Sequence, residues 1–384
     1  MALSKIDVAN MLTGEVPNDN VANLPPSKLE DNINFRNIII NGDMSISQRG
    51  TSFSSLGNGD SAYTLDRFKF TEEGDFGSAE ITVSQDTTVP SGQGFAKSLK
   101  CVCATADTSV DSGTISYIEQ RIEGQNLQYL KKGTSNAEAL TLSFWCRSNL
   151  TGTFTVYVKD EDNSRMFSTS YSLSSADTWE KITINIPADT TGAFTNDNGS
   201  SLLINWNLQA GTNKSNGSLA STWQSISEGD RAVGQTNFFS STSNNWYITG
   251  VQLEAGTSAS DFEFLPFDIN QRRCQRYYYR VNPTNISAAP IGTAIYYSSS
   301  AAFTQIPFPI TMRASPTLEQ VTGTNYFNVN RNADNDFFDA FETSNFGTES
   351  TTLYVSSGLS ATSGDAGRTR FNNTSARVAF VSEL

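Results

Sequence analysis

Hydrophobic and polar residues alternate through much of the chain between residues 36 and 267. The hydrophobic positions of four such runs are Leu142, Phe144 and Cys146; Phe154, Val156 and Val158; Ile182, Ile184 and Ile186; and Leu202, Ile204, Trp206 and Leu208. Because successive side chains of a strand point to opposite faces, this period of two predicts strands with one buried face. Clusters of Ser, Asn, Asp and Gly separate the runs and predict turns. Short strands at regular spacing predict an all-β sandwich or barrel.

The end of the chain continues this pattern. Between residues 305 and 312, Ile306, Phe308, Ile310 and Met312 alternate with polar residues and two prolines. Proline cannot donate a ladder hydrogen bond, so this run predicts an edge strand or an extended arm. A second, smaller β domain is therefore expected over residues 268–384. The one helix predicted inside the first domain covers residues 121–133, and Gly124 weakens it.

The first 35 residues differ from the rest. Gly14 and Pro17 end any helix there, and Pro25-Pro26 holds the chain extended. Such a thin segment cannot bury a core alone, so we expect an arm that either packs on a partner or stays without fixed structure. The predicted units are an N-terminal extended arm (1–35), a β-sandwich domain (36–267) and a smaller C-terminal β domain that forms the distal tip (268–384).

Composition and charge narrow the classes of function. Of 384 residues, 37% are hydrophobic and 11% aromatic, which is enough for packed cores. The net charge of −13 makes a nucleic-acid partner unexpected, because phosphate contacts dominate that affinity. The chain has no run of 18 apolar residues, so no membrane span is expected.

Histidine and cysteine usage limits the chemistry further. The chain has no histidine, which is the commonest general base and zinc ligand. Its four cysteines are too few for a disulfide framework, so reduced, buried thiols are expected. No cofactor is expected from these residues.

Two aromatic residues stand out of phase with the core pattern. Trp145 and Tyr157 lie on the polar side of their predicted strands. If those strands are neighbours, the two rings form a stacking platform for a carbohydrate, with Asn and Thr bonding its hydroxyls. The alternative is that loops or a neighbouring subunit cover this face.

Three adjacent acidic residues, Asp160, Glu161 and Asp162, follow one strand. They suggest either a cation site or the carboxylate pair of a glycoside hydrolase, which needs two carboxyls held apart in a cleft. Adjacent charges in a predicted hairpin loop are more simply explained as solvated. We therefore expect no enzyme activity.

A basic, aromatic cluster follows the first domain. It consists of Arg272, Arg273, Arg276, Tyr277, Tyr278 and Tyr279. It could bind single-stranded nucleic acid through stacking, but the overall charge opposes that. The structural alternative is packing between domains or subunits, with the arginines meeting the carboxylates of the preceding segment, residues 260–268.

Several blocks of sequence resemble a family of tail-fibre and virion-associated proteins of marine tailed phages. The blocks lie between residues 36 and 318 and include NIIINGDMSISQRGTS, WEKITINIP, GVQLEAG and CQRYY. The resemblance implies a non-enzymatic virion protein, assembled in the host cytoplasm and located on the tail or head surface. Its expected partners are two further copies in a homotrimer, other virion proteins contacted through residues 1–35, and a host-surface glycan or protein.

This resemblance implies a tail fibre that takes part in receptor recognition and host attachment. Two alternatives remain open at this point. One is a structural head-fibre, decoration or baseplate protein that binds no receptor. The other is a polysaccharide-degrading tailspike, against which the lack of a long parallel β-helix repeat argues.

The first domain also resembles carbohydrate-binding jelly rolls. Those domains open with a strand like Asn41-Gly42-Asp43, and they close on a strand with paired aspartates beside a structural calcium ion. Here Ser45 replaces the expected glutamate, and Thr249-Gly250 stands where the aspartates belong. The resemblance implies a jelly-roll fold and leaves Asp43 and Glu254 as candidate calcium ligands.

Overall fold

The computed structural model describes residues 35–282, 286–332, 334–342 and 346–384. The predicted arm, except for Phe35, lies outside these residues. The strands are β1 (Ser52–Leu56), β2 (Ser61–Tyr63), β3 (Lys69–Glu73), β4 (Glu80–Asp86), β5 (Ser98–Thr105), β6 (Ile115–Glu123), β7 (Leu140–Ser148), β8 (Gly152–Asp160), β9 (Arg165–Leu173), β10 (Glu180–Ile186), β11 (Ser200–Ala210), β12 (Gln224–Ser225), β13 (Asn245–Ala255), β14 (Tyr278–Arg280), β15 (Pro290–Tyr296), β16 (Ala302–Pro307), β17 (Thr317–Val321), β18 (Phe327–Arg331), β19 (Asp334–Phe338), β20 (Ser350–Val355), β21 (Ala366–Phe371) and β22 (Arg377–Val381). The α-helices are α1 (Thr212–Ser215) and α2 (Phe267–Gln275), and 3₁₀ turns cover Gly124–Asn126, Gln128–Leu130, Glu228–Asp230 and Phe238–Ser240.

Two antiparallel sheets form the first domain. Sheet I has the strand order β1-β4-β5-β13-β7-β10, and sheet II the order β12-β9-β8-β11-β6-β3-β2. Strands that are distant in the sequence are neighbours, as in the pairs β5–β13 and β6–β11, which is the crossing pattern of a jelly roll. The predicted all-β fold with a jelly-roll sandwich is confirmed.

The core between sheets I and II follows the alternation of the sequence. Phe144 of sheet I meets Trp206 of sheet II at a ring-centroid distance of 6.1 Å. Both rings are fully buried, together with most of the predicted core positions. Truncating a buried ring of this size to alanine destabilises a protein by about 3–5 kcal/mol. The strand pattern therefore also identifies the residues that hold the sandwich together.

The second domain packs a six-stranded sheet against a three-stranded one. Sheet III has the order β19-β18-β21-β15-β16-β20, and sheet IV the order β14-β22-β17. Its core is a separate cluster that includes Phe327, Leu353 and Phe380. Strand β16 lies between two neighbours, so the prediction of an edge strand over residues 305–312 is wrong. The strand ends at Pro307, and the chain then leaves the sheet with Phe308 and Met312 packed on the core.

Two helix assignments differ from the sequence prediction. The helix predicted over residues 121–133 is wrong, because β6 continues to Glu123 and two 3₁₀ turns follow. A β-carbon on Gly124 would lie 2.0 Å from the carbonyl oxygen of Thr195, so only glycine fits this turn. Helix α2 was not predicted, because its nine residues contain few apolar side chains. Asn270 and Cys274 are its buried residues, four apart on one face.

Candidate functional site

A joint of buried charges connects the two domains. Arg276, directly after α2, holds Glu123 at the end of β6 through two hydrogen bonds of 2.8 and 2.7 Å. The hydroxyl of Tyr277 donates to the same carboxylate. Burial opposes ionisation of Glu123, but these hydrogen bonds outweigh it, so its pKa lies below its ordinary value. A bidentate pair of this kind fixes orientation as well as distance.

A second part of the joint stacks arginines on tyrosines. The guanidinium carbon of Arg67 lies 3.5 Å from the ring centre of Tyr277, and that of Arg49 lies 3.7 Å from Tyr278. Both arginines also pair with Glu383 near the end of the chain. Tyr279 instead points into the second domain, where its ring stacks on Phe380 at 6.3 Å.

The arginines of this cluster do not have the partners that the sequence suggested. We expected the carboxylates of residues 260–268, and that expectation is wrong for Arg276, whose partner is Glu123. Glu263 instead accepts hydrogen bonds from the backbone N–H groups of Phe35 and Asn37. Arg273 donates to the carbonyl oxygen of Asn37, while Arg272 is exposed.

Trp145 and Tyr157 lie in different sheets. Trp145 belongs to β7 of sheet I, and Tyr157 belongs to β8 of sheet II. Their side chains point away from the shared core on opposite faces of the sandwich, so the strands are not neighbours and the two rings form no common platform. Trp145 is half-buried, whereas Tyr157 is 2% exposed.

Loop residues 211–236 cover Tyr157. Its ring packs with Met166, Ala220 and Ile226, and the guanidinium carbon of Arg231 lies 4.9 Å from its centre. Burial raises the pKa of Tyr157 to about 12. A sugar therefore has no access to this ring.

The acidic cluster after β8 is built into ion pairs. Asp160 is buried and lies 2.6 Å from Lys132, which also contacts Asp189 at 3.0 Å. Glu161 faces Arg121 at 3.5 Å, and Asp162 accepts a hydrogen bond from the backbone of Thr195. The expectation of a solvated loop is therefore wrong for Asp160.

The candidate calcium ligands do not fit that ion. Asp43 accepts hydrogen bonds from Ser45 and Asn270, while Glu254 accepts them from Ser260 and Gln252. Arg36 also lies 3.7 Å from Glu254. Calcium needs six to eight oxygen ligands, and donors occupy these carboxylates instead. Among the described residues, no three Asp, Glu, Cys or His side chains group as a metal site.

An exposed aromatic row crosses the outer face of sheet III. Strand register places Ile295 beside Phe303, and Phe303 beside Tyr354. The ring of Phe303 lies 5.1 Å from that of Tyr354 and 5.5 Å from that of Tyr297, centre to centre. Ile295 is 57% exposed and Tyr297 69%. We call these four residues the aromatic row.

A polar row lies next to the aromatic row, two residues further along each strand. Successive register pairs connect Thr352, Gln305, Thr293, Arg368, Asn330 and Asn335. Aromatic rings stack on the apolar faces of sugars, and hydroxyl, amide and guanidinium groups bind sugar hydroxyls. The two rows together therefore have the chemistry of a carbohydrate-binding surface.

The sequence carries a signal for part of this surface. Phe303 stands out of phase with the core residues Ala302 and Ile306, just as Trp145 does on its own strand. Tyr354 is likewise flanked by the buried Leu353 and Val355. The same test for out-of-phase aromatics, applied to residues 290–355, finds Phe303 and Tyr354 of the row.

No family model matches the chain, and no curated protein matches it. Among solved structures, it is similar to the enzymatically active domain of tailspike protein 4 of bacteriophage CBA120, with 14% identity and a TM-score of 0.30 over 57% of this chain and 21% of that one. It is similar to the CBM22-1 xylan-binding domain of Paenibacillus barcinonensis Xyn10C, with 12% identity and a TM-score of 0.24 over 54% of this chain and 94% of that one. It is also similar to the family 11 carbohydrate-binding module of Clostridium thermocellum, with 9% identity and a TM-score of 0.27 over 55% and 98%.

The chain spans about a fifth of the tailspike domain's length. At these levels of similarity, the jelly-roll assignment depends on the strand order and register of sheets I and II. Within the described residues, no helix is both long and apolar enough to cross a membrane.

Proposed function

We propose that the protein is a non-enzymatic fibre of a tailed-phage virion, and that it takes part in recognition of a host-surface glycan. The observation that carries the proposal is the aromatic row beside the polar row on sheet III. Large apolar side chains such as Tyr297 and Ile295 are exposed together there, and such patches mark binding surfaces. Their arrangement in a row across neighbouring strands suits an extended carbohydrate.

The joint supports a fibre in which the second domain is held at a set angle. The Arg276–Glu123 pair and the stacking of Arg67 on Tyr277 connect the domains through buried contacts. A buried pair of this kind resists bending, because separating it leaves a charge without its partner. The fibre then presents the outer face of sheet III in a constant orientation.

The acidic residues support a binding role over catalysis. Asp160 and Glu161 are held by Lys132 and Arg121, so neither is presented as a general acid in a cleft. A homotrimer is part of the proposal, because threefold packing can bury the open edges of the sheets. Light scattering should then give three times the 41.8 kDa of one chain.

Binding of the purified protein to a glycan array tests the proposal. Phe303→Ala should weaken the strongest signal by about 1–2 kcal/mol, roughly five- to thirty-fold, because the central ring of the row is lost. Tyr129→Ala is the matched control, since Tyr129 is an exposed aromatic of the first domain. Equal binding by Phe303→Ala and the unchanged protein would show that the aromatic row does not bind the glycan.

Location on the particle separates the fibre from its alternatives. Antibodies against the second domain should label the tail of intact particles and block adsorption. Labelling of the head or baseplate without an effect on adsorption would favour a structural virion component. Release of oligosaccharides from host capsule would instead indicate a tailspike enzyme.

A further inference from the structure

A groove lies at the joint, on the opposite side of the second domain from the aromatic row. Its volume is about 320 Å³, which falls within the range of small-ligand sites. The first domain contributes Arg49, Phe53 and Tyr63, and sheet IV contributes Glu319, Arg377 and Val381. Clefts between domains are a common place for ligands.

Two guanidinium groups, those of Arg49 and Arg377, and one carboxyl group, that of Glu319, line this groove. Charges of both signs surround the lining, including Arg67, Lys69, Asp66, Glu119 and Glu383. Burial raises the pKa of Asp66, whose carboxyl group accepts hydrogen bonds from the backbone and side chain of Gln48. Burial and the charge of Arg377 lower the pKa of Arg280. The lining therefore has more cationic than anionic side chains, in a chain of net charge −13.

The arginines that line the groove also have unused hydrogen-bonding capacity. Nη1 of Arg49 and Nε of Arg377 are buried and have no hydrogen-bond partner among the described residues. The side chain of Arg49 is 8% exposed and stacks on Tyr278, so its position is constrained. Arg377 pairs with Glu319 at 2.9 Å but remains 26% exposed at the groove. An unpaired buried donor is unfavourable, so a small shift of either guanidinium group towards an oxyanion in the groove would supply the missing acceptor.

We propose that this groove binds the carboxylate or phosphate group of an acidic sugar, with Arg377 and Arg49 holding the anion. Tyr63 and Phe53, both only partly buried, line the same groove and offer ring faces for the sugar. An arginine fork matches the geometry of both kinds of anion. The site is separate from the aromatic row and does not depend on where the protein lies on the virion.

Calorimetric titration with three probes at low salt tests this site. The probes are trigalacturonate, which supplies carboxylates, glucose 6-phosphate, which supplies a phosphate, and maltotriose, which is neutral. At least one acidic probe should bind ten-fold or more tightly than maltotriose. Preference for one acidic probe identifies the anion, and equal binding of all three overturns the proposal.

Substitutions then locate the binding. Arg377→Gln should weaken the acidic probe about ten-fold or more, as expected for one lost charge-assisted hydrogen bond, and Arg377→Lys should weaken it less. Arg272→Gln, an equal loss of charge at an exposed arginine, should leave it unchanged. An equal loss from Arg272→Gln would show a general effect of net charge and would overturn the site.

A further variant covers the case in which Arg377→Gln unfolds the protein. Phe53→Glu adds a carboxylate to the groove and removes none of its ion pairs, because Phe53 is uncharged and takes part in none of them. It should weaken the acidic probe about ten-fold by repulsion and leave maltotriose unaffected. Unchanged binding of the acidic probe to folded Phe53→Glu would place the anion elsewhere.

Discussion

Tyr157 of the first domain and Tyr297 of the second have similar positions and opposite environments. Tyr157 projects from β8 on the outer face of sheet II, and Tyr297 directly follows β15 of sheet III, where its ring lies against Phe303 of the outer face. Yet Tyr157 is 2% exposed and Tyr297 is 69% exposed. The difference is that residues 211–236 cross sheet II and pack on Tyr157, whereas sheet III leaves Tyr297 and its neighbours open to solvent.

The two tyrosines show how little the position of an aromatic residue on the polar side of a strand says about its exposure to solvent. The sequence pattern says only that the ring does not belong to the core between the two sheets. A second layer of structure decides whether the ring faces solvent or lies in another apolar cluster. In the first domain that layer is a loop closed by Arg231, which pairs with Glu73 at 2.8 Å. In the second domain the rings remain available to a ligand.

Replacing the two tyrosines should give the largest difference in stability between the two domains. Tyr157→Ala should destabilise the first domain by about 3–5 kcal/mol, because it leaves a cavity beneath the loop. Tyr297→Ala should change stability by less than about 0.5 kcal/mol, because that ring is mostly in water. Denaturant unfolding of the purified variants measures both. A mild effect of Tyr157→Ala would mean that the loop over it opens readily.

Removing the carboxylate of Glu123 tests whether the two domains unfold as one unit. Glu123→Gln should destabilise the protein by about 2–3 kcal/mol, since Arg276 keeps its charge but loses its buried partner. Calorimetry should then show the two domains melting further apart. Glu138→Gln is the control, because its ion pair with Lys131 is exposed and contributes about 0.5 kcal/mol at most. An unchanged melting profile for Glu123→Gln would show that other contacts hold the joint.

Acid should destabilise the first domain, because Glu73 helps to hold the segment that covers Tyr157. Burial opposes ionisation of Glu73, but Arg231 and Tyr117 outweigh it and lower its pKa to about 2 from 4.5. A lowered carboxyl pKa stabilises the fold above pH 4.5, and that contribution disappears as the pH falls towards 2. We expect a loss of about 1 kcal/mol, because Glu73 is 38% exposed and solvent screens the pair. Stability measured from pH 6 to pH 2 should fall less in Glu73→Gln.

A reducing agent should have the smallest effect on stability of these four changes. The four cysteines are free and buried, three of them in the core of the first domain and Cys274 on α2. Burial raises the pKa of Cys103 to about 11, so its reactive thiolate is scarce at neutral pH. Reductant should therefore leave the melting temperatures of both domains within about one degree. A drop of several degrees would reveal a disulfide, which typically contributes about 2–4 kcal/mol.

The sequence by itself determined the all-β class and the faces of many strands. Leu202, Ile204 and Trp206 are buried on one side of β11, as their alternation predicted. Alternation is a local property, because it depends only on the direction of successive side chains along one strand. The turn residues were also informative, because their clusters correctly predicted the ends of the strands from β7 to β10.

Only the tertiary structure decided which of these strands and side chains meet. Arg276 and Glu123 form a hydrogen bond although they are 153 positions apart in the sequence. The residues around each of them do not predict this pairing. Trp145 and Tyr157 look alike in sequence, yet they lie on opposite sides of the sandwich because β7 and β8 join different sheets. Strand order, loop cover and the partner of a buried charge depend on how the whole chain minimises exposed apolar surface and unpaired charge together. No single segment carries that information.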